Sequence, residues 1–208
     1  MQANKINFIV KSLSLNNYFT NAIIAPSGDF FNSKRAYESL GFDNVSYLQD
    51  KKEQQNNEFL NDKLENNVLY DGDLSDLNIR FLEKHSKNNN KPIFNYVLGM
   101  YGHLPFERNT KLRPNVINTN HSDDRHNRIT NQFYYRIETL ANYLEKLIEI
   151  DPNSIIFVTS DHLPSVLSED AHYQLNNKMN IALLIDSGKT VDVSGKKLFQ
   201  IPGYYGIC

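Results

Sequence analysis

Two apolar runs in this 208-residue chain end in residues that a protein core does not need. Ile93-Phe-Asn-Tyr-Val-Leu-Gly-Met leads into Tyr101-Gly102-His103-Leu104-Pro105-Phe106, and Ser154-Ile-Ile-Phe-Val-Thr-Ser leads into Asp161-His162-Leu163-Pro164. Each exit sets a histidine just past an apolar stretch, with a proline two residues later. Carboxylate oxygen and imidazole nitrogen are both ligands for divalent metals, and imidazole also carries protons near neutral pH. If the two runs are neighbouring strands, His103, Asp161 and His162 converge on one rim. The other reading of Asp161-His162 is a solvated turn whose aspartate caps the next helix. The run His121-Ser-Asp-Asp-Arg-His126 also gathers ligand-type residues. It reads either as a second metal or phosphate site or, more simply, as a polar loop with Asp123 or Asp124 capping the following helix. His85 fits a cation at a helix C-terminus. Ser12, Ser14 and Thr20 have no neighbour in sequence that would activate a hydroxyl.

The elements that must position these groups can be read from spacing. Phe8 to Leu15 predicts a short helix stopped by Asn16-Asn17, and Tyr18 to Ala25 a strand closed by Pro26-Ser27-Gly28. Ser33 to Leu40 predicts a helix with Gly41 at its C-cap. Val45 to Val68 is weakly patterned, an excursion with some helix in it. Leu74, Leu77, Phe81 and Leu82 share a helical face that ends at Asn88-Asn89-Asn90. Glu107 to His126 is a long polar loop, and loops of that length are usually functional. Ile129, Phe133, Ile137, Leu140, Leu144, Leu147 and Ile148 form an amphipathic stripe broken by Asp151-Pro152-Asn153. Ile181-Ala-Leu-Leu-Ile-Asp predicts a further strand. The paired asparagines suit turns and helix ends. Helix, buried strand, long helix, buried strand is an α/β rhythm: a three-layer α/β/α sandwich with a mainly parallel central sheet, in which Ile93–Leu98 and Ile155–Thr159 are inner strands. In such sheets chemistry gathers beyond the carboxyl ends of the strands.

Composition excludes several classes. Lys+Arg 22 against Asp+Glu 24 leaves a net charge of -2, without the basic excess of a nucleic-acid binder. No apolar run reaches the roughly 20 residues of a membrane span, and the first residues lack the pattern of a signal peptide. The single cysteine, Cys208, excludes an intrachain disulfide framework and a multi-cysteine zinc site.

Ser154-Ile-Ile-Phe-Val-Thr-Ser-Asp-His-Leu-Pro resembles the strand and metal-ligand turn of the sulfatase-like alkaline phosphatase superfamily, nearest the lipoteichoic acid synthase and phosphoglycerol transferase group. Tyr101-Gly-His-Leu-Pro-Phe resembles that group's Asn-His-x-Pro-Phe turn, whose histidine contacts the substrate head group. Gly28-Asp-Phe-Phe-Asn and the following Tyr37-Glu-Ser-Leu-Gly-Phe-Asp resemble the stretch where an aromatic and an arginine line the pocket. Phe31 matches the aromatic, whereas Ser33 stands at the arginine position, beside Lys34 and Arg35. Tyr134-Tyr-Arg-Ile-Glu resembles the long helix before the metal-ligand strand, and Ile201-Pro-Gly-Tyr-Tyr the segment after the last core strand.

The resemblance implies a metal-dependent phosphoglycerol or phosphoethanolamine transferase, or a sulfatase, acting on phosphate or sulfate esters of cell-envelope components at an extracytoplasmic face. It assigns Asp161 and His162 as ligands of a divalent metal (manganese, alternatively zinc, magnesium or calcium). His103 becomes a substrate-binding and catalytic residue, and Phe31 a substrate-binding one. His172 sits where relatives keep a polar residue. The group's threonine nucleophile and a further acidic ligand lie upstream of the Gly28 region, so residues 1–208 read as a single partial sulfatase-like domain, a C-terminal portion lacking the nucleophile. Such a portion is expected to hold metal weakly and to self-associate or pair with the missing N-terminal part. The alternative is a non-catalytic binding or scaffold domain that retains the fold.

Overall fold

The computed structural model describes residues 9–50, 60, 64–65, 68–160, 182–187 and 189–190. The chain divides into two compact units, Met1–Tyr143 and Leu144–Cys208.

In the first unit, helix α1 (Ile9–Leu15) is stopped by Asn17, whose φ of 67° takes the left-handed turn that asparagine tolerates. Strand β1 (Phe19–Ile24) follows, then a single 3₁₀ turn at Phe30–Asn32 and helix α2 (Ser33–Leu40). Gly41, at φ 82°, closes α2, a conformation that costs a residue with a Cβ. Strand β2 (Asn44–Tyr47) comes next, then the short antiparallel pair β3 (Leu64–Glu65) and β4 (Val68–Leu69). Helix α3 (Asp71–Asn88) and strand β5 (Ile93–Leu98) complete the sheet, and helix α4 (Asp124–Ile150) starts here and runs on into the second unit.

The sheet has the order β2-β1-β5, and all its pairings are parallel. The carboxyl half of its central strand is apolar on both faces because each face is covered by a helix. Ile23 and Ala25 pack with Leu74, Leu77 and Phe81 of α3, while Ala22 and Ile24 pack with Tyr37 of α2 and with Phe42 and Tyr96. Ile23 and Ile24 are 5% and 0% exposed, and burying each such side chain stabilises by about 2 kcal/mol. This is an α/β fold with a parallel sheet between helices.

One polar row crosses the α3 face. Asn44 donates to Asn21 Oδ1 (2.7 Å), Asn21 donates to Asn95 Oδ1 (2.8 Å), and Asn95 and Asn78 exchange amide bonds at 2.9 and 3.1 Å. The Tyr143 hydroxyl donates to Asn78 Oδ1 at 2.5 Å. Asn21 and Asn78 are fully buried, so these bonds satisfy groups that would otherwise be costly inside the protein. The asparagines therefore do more than form turns. Burial also pushes the Tyr143 phenol far above its usual range, which keeps it a neutral donor.

In the second unit, β6 (Ile155–Thr159), β7 (Ala182–Asp186) and β8 (Lys189–Thr190) form an antiparallel sheet in chain order. The expectation of two inner strands is not met among the described residues. β5 pairs with β1 alone and β6 with β7 alone, so each lies at the edge of its sheet. β6 accordingly alternates in burial, with Ile155 72% and Phe157 52% exposed, as a strand covered on one face does.

Candidate functional site

β1 and β5 end level: Ile24 pairs with Leu98, and the Ala25 N–H donates to the Leu98 carbonyl at 2.9 Å. Because the strands are parallel, the chain leaves both at the same rim, where an α/β sheet offers its crevice. The two exits carry Phe31 and His103.

Beyond β1, the Ser27 hydroxyl (2.6 Å) and the Gly28 N–H (2.9 Å) both donate to Asp50 Oδ1, tying the turn to the segment after β2. Phe30 and Phe31 meet edge to face at 4.6 Å. Phe31 (φ 47°) and Asn32 (φ 58°) are both left-handed, a conformation that costs about 1–2 kcal/mol for an L-residue with a side chain. The result is an aromatic ring 66% exposed at the rim. Lys34 and Arg35 are also exposed, in the first turn of α2.

Beyond β5, two buried aromatics bracket an exposed histidine. Tyr101 and Phe106 are 1% and 2% exposed, whereas His103 faces solvent between them. The turn is closed by the His103 N–H donating to the Met100 carbonyl and the Phe106 N–H donating to the His103 carbonyl, both at 3.0 Å. His103 Nδ1 lies 3.1 Å from the Leu104 carbonyl, and the Leu104–Pro105 bond is cis. Tyr101 meets the Tyr70 ring edge-on at 5.1 Å, and Arg113 lies over Tyr70 at 3.8 Å while donating to the Tyr101 hydroxyl at 3.4 Å. Burial raises the Tyr101 phenol far above its usual range and lowers Arg113.

Under this turn lies an ion pair. Arg136 Nε donates to Asp71 Oδ2 at 2.8 Å, joining the first turn of α3 to α4. The long loop is laced to the same face of α4. Buried Asn131 accepts the N–H groups of Val116 (2.7 Å) and Ile117 (2.9 Å) and donates to the Ile117 carbonyl at 2.7 Å. Gln132 donates to the Glu107 carbonyl at 3.1 Å, Asn127 accepts from Thr119, and Tyr135 donates to the Pro114 carbonyl. Arg108 is buried, with its guanidinium on the Arg113 carbonyl and on Asn115.

The turns that carry Phe31 and His103 thus follow the level carboxyl ends of two paired strands. Asp161, His162, His172 and Ile201–Tyr205 lie outside the described residues. The second cluster resolves as a helix start: Asp123, directly before α4, accepts the Arg125 N–H at 2.9 Å and pairs with its guanidinium, which holds the carboxyl down at about 2. His121 and His126 stack at 3.7 Å, and His121 Nδ1 accepts the Asp123 N–H. Thr20 is bonded to Asp43 and buried near the amino end of β1, away from the rim. Among the described residues no group of three or more His, Cys, Asp or Glu could hold a metal. Nor is any helix among them long and apolar enough to cross a membrane.

The fold is that of an α/β protein with a parallel sheet between helices. The sulfatase family model matches residues 2–188, and the chain belongs to that family. Among solved structures it is similar to the lipoteichoic acid synthase LtaP from Listeria monocytogenes, with 21% identity and a TM-score of 0.65 over 77% of this chain and 37% of that one. A protein of the alkaline phosphatase superfamily from Vibrio parahaemolyticus gives the same identity and TM-score over 88% and 41%. The Streptococcus pyogenes phosphoglycerol transferase GacH, in complex with sn-glycerol-1-phosphate, gives 21% and 0.56 over 83% and 44%. The chain therefore spans about two fifths of the length of these structures. No curated protein sequence matches it significantly.

Proposed function

We propose that this chain supplies the substrate-facing rim of a sulfatase-family site that takes a phosphate or sulfate ester, with a glycerol phosphate or ethanolamine phosphate group of a cell-envelope component as the favoured ligand. The observation that supports this reading is the level exit of β1 and β5, from which the turns carrying the exposed Phe31 and His103 continue. A protonated imidazole donates to a phosphoryl or sulfuryl oxygen and can pass its proton to a leaving oxygen. An exposed aromatic covers the apolar edge of a small polyol. Asp161 and His162 are the proposed ligands of a divalent metal, which when bound would neutralise charge on the transferred group. No residue of the chain is assigned as the nucleophile. The phosphoglycerol transferase in complex with sn-glycerol-1-phosphate lends the substrate class its support. So does the similarity to a lipoteichoic acid synthase, which favours an extracytoplasmic setting.

The test is a titration of the full chain with sn-glycerol-1-phosphate, followed by nuclear magnetic resonance. Saturable shifts at His103 and around Phe31, lost in His103→Ala, are the expected result. A folded chain whose rim does not respond to the phosphate ester, to inorganic phosphate or to sulfate, with or without manganese, would favour a non-catalytic scaffold.

A further inference from the structure

The turn that carries His103 rests on charged groups at two close approaches. A Cβ at Gly99 would sit 2.7 Å from Asp71 Oδ1, and one at Gly102 would overlap the Arg136 guanidinium. Both glycines therefore let backbone press directly onto the Asp71–Arg136 pair. The pair itself is fixed from two sides. Asp71 is in the first turn of α3, where a carboxylate is favoured, and its side chain is 16% exposed. Arg136 projects from α4 with its guanidinium 5.3 Å from the Phe133 ring. Asp71 Oδ1 is buried with no hydrogen-bond partner among the described residues, so Arg136 is the group that offsets its charge. Between the two glycines Tyr101 is buried, and the His103 N–H closes back onto Met100. Any shift of the ion pair must consequently displace the short segment that aims the imidazole.

We propose that Asp71 and Arg136 are positioning residues for His103, forming the charged seat on which the Gly99–Gly102 backbone lies. The inference rests on the reading of His103 as a substrate-facing group only for its consequence in binding. The placement itself can be measured without ligand. Arginine suits the seat because its planar guanidinium spans the glycine and the carboxylate together. Lysine keeps the charge but presents a single point.

The experiment compares His103 ring resonances, and backbone amides from Gly99 to Phe106, in the full chain and in Arg136→Ala, Arg136→Lys and Asp71→Asn. Without ligand, Arg136→Ala should move these signals while those of the buried Asn21 and Asn95 side-chain amides stay in place, and Arg136→Lys should restore part of the change. With sn-glycerol-1-phosphate, Arg136→Ala should bind on the order of tenfold more weakly, the scale of losing one hydrogen bond to a charged group. Unchanged His103 signals in a folded Arg136→Ala would overturn the proposal. If the ligand moves nothing in the unsubstituted chain, the substrate reading fails and the positioning claim is judged on the ligand-free signals. Should Arg136→Ala not fold, Gly102→Ala, which pushes the turn off the guanidinium, must produce the same ligand-free displacement. Its absence there also overturns the claim.

Discussion

Asp43 shows how one exposed side chain can govern a buried strand start. Its carboxylate accepts the Thr20 N–H (2.8 Å) and hydroxyl (2.9 Å), and its own N–H donates back to Thr20 Oγ1 at 2.9 Å. Thr20 is fully buried, so Asp43→Ala leaves a buried donor unmet and should cost about 1–3 kcal/mol in urea unfolding at neutral pH. The Thr20 N–H bond, aided by the hydroxyl bonds of Thr20 and of Ser14 (3.2 Å), holds the Asp43 carboxyl below the usual range against some desolvation. Folding thus lowers its proton affinity. The contribution is complete above the unfolded carboxylate range and is lost as pH falls through the lowered folded value. Unfolding curves should therefore lose stability on the acid side in the unsubstituted chain and lose less of it in Asp43→Ala. An equal acid slope in both would show that Asp43 does not couple to folding.

At the scale of the element, α4 reverses an ordinary expectation for an amphipathic helix. Its buried residues are Asn131 and Gln132, while Ile137 of the apolar stripe is 64% exposed. The polar face serves the loop, because a segment without its own ladder must find partners for its backbone groups. Asn131→Ala should speed hydrogen exchange at the Val116 and Ile117 amides by about tenfold or more, leaving β1 amides protected. Uniform acceleration across the sheet would instead make Asn131 a global support. These contacts mark where sequence reading stops. Helix α2 is legible from Ser33 and Gly41, and α3 from Leu74, Leu77 and Phe81 with its stop at Asn88-Asn89. Strand β2 is not, since Asn44-Val-Ser-Tyr is short and polar at its start and becomes a strand through pairing with β1. His103 and Phe31 stand out as residues past strand ends. The Asp71–Arg136 seat does not, because its partners are 65 positions apart and no local spacing announces a tertiary ion pair.

For the molecule as a whole, the proposed metal ligands set a limit on affinity. Asp161 and His162 are two groups where tight divalent sites use three or four, so manganese calorimetry on the chain should give binding weaker than about micromolar, abolished in Asp161→Ala. Sub-micromolar binding would mean that further residues of this chain complete the sphere. The asparagine row has a different consequence, concerning how the chain finds its alignment. A strand buried on both faces carries little information about register, since Ala22, Ile23, Ile24 and Ala25 would bury nearly as well if β1 slid by one residue. The amides are not so indifferent. A one-residue slide sets Asn21 against Phe94 or Tyr96 instead of Asn95 and breaks the row at its centre. Each amide stranded in this way costs about 1–3 kcal/mol. The row therefore acts as a proofreading mark: oil-like packing draws the three strands together, and the amides reject each misaligned draft.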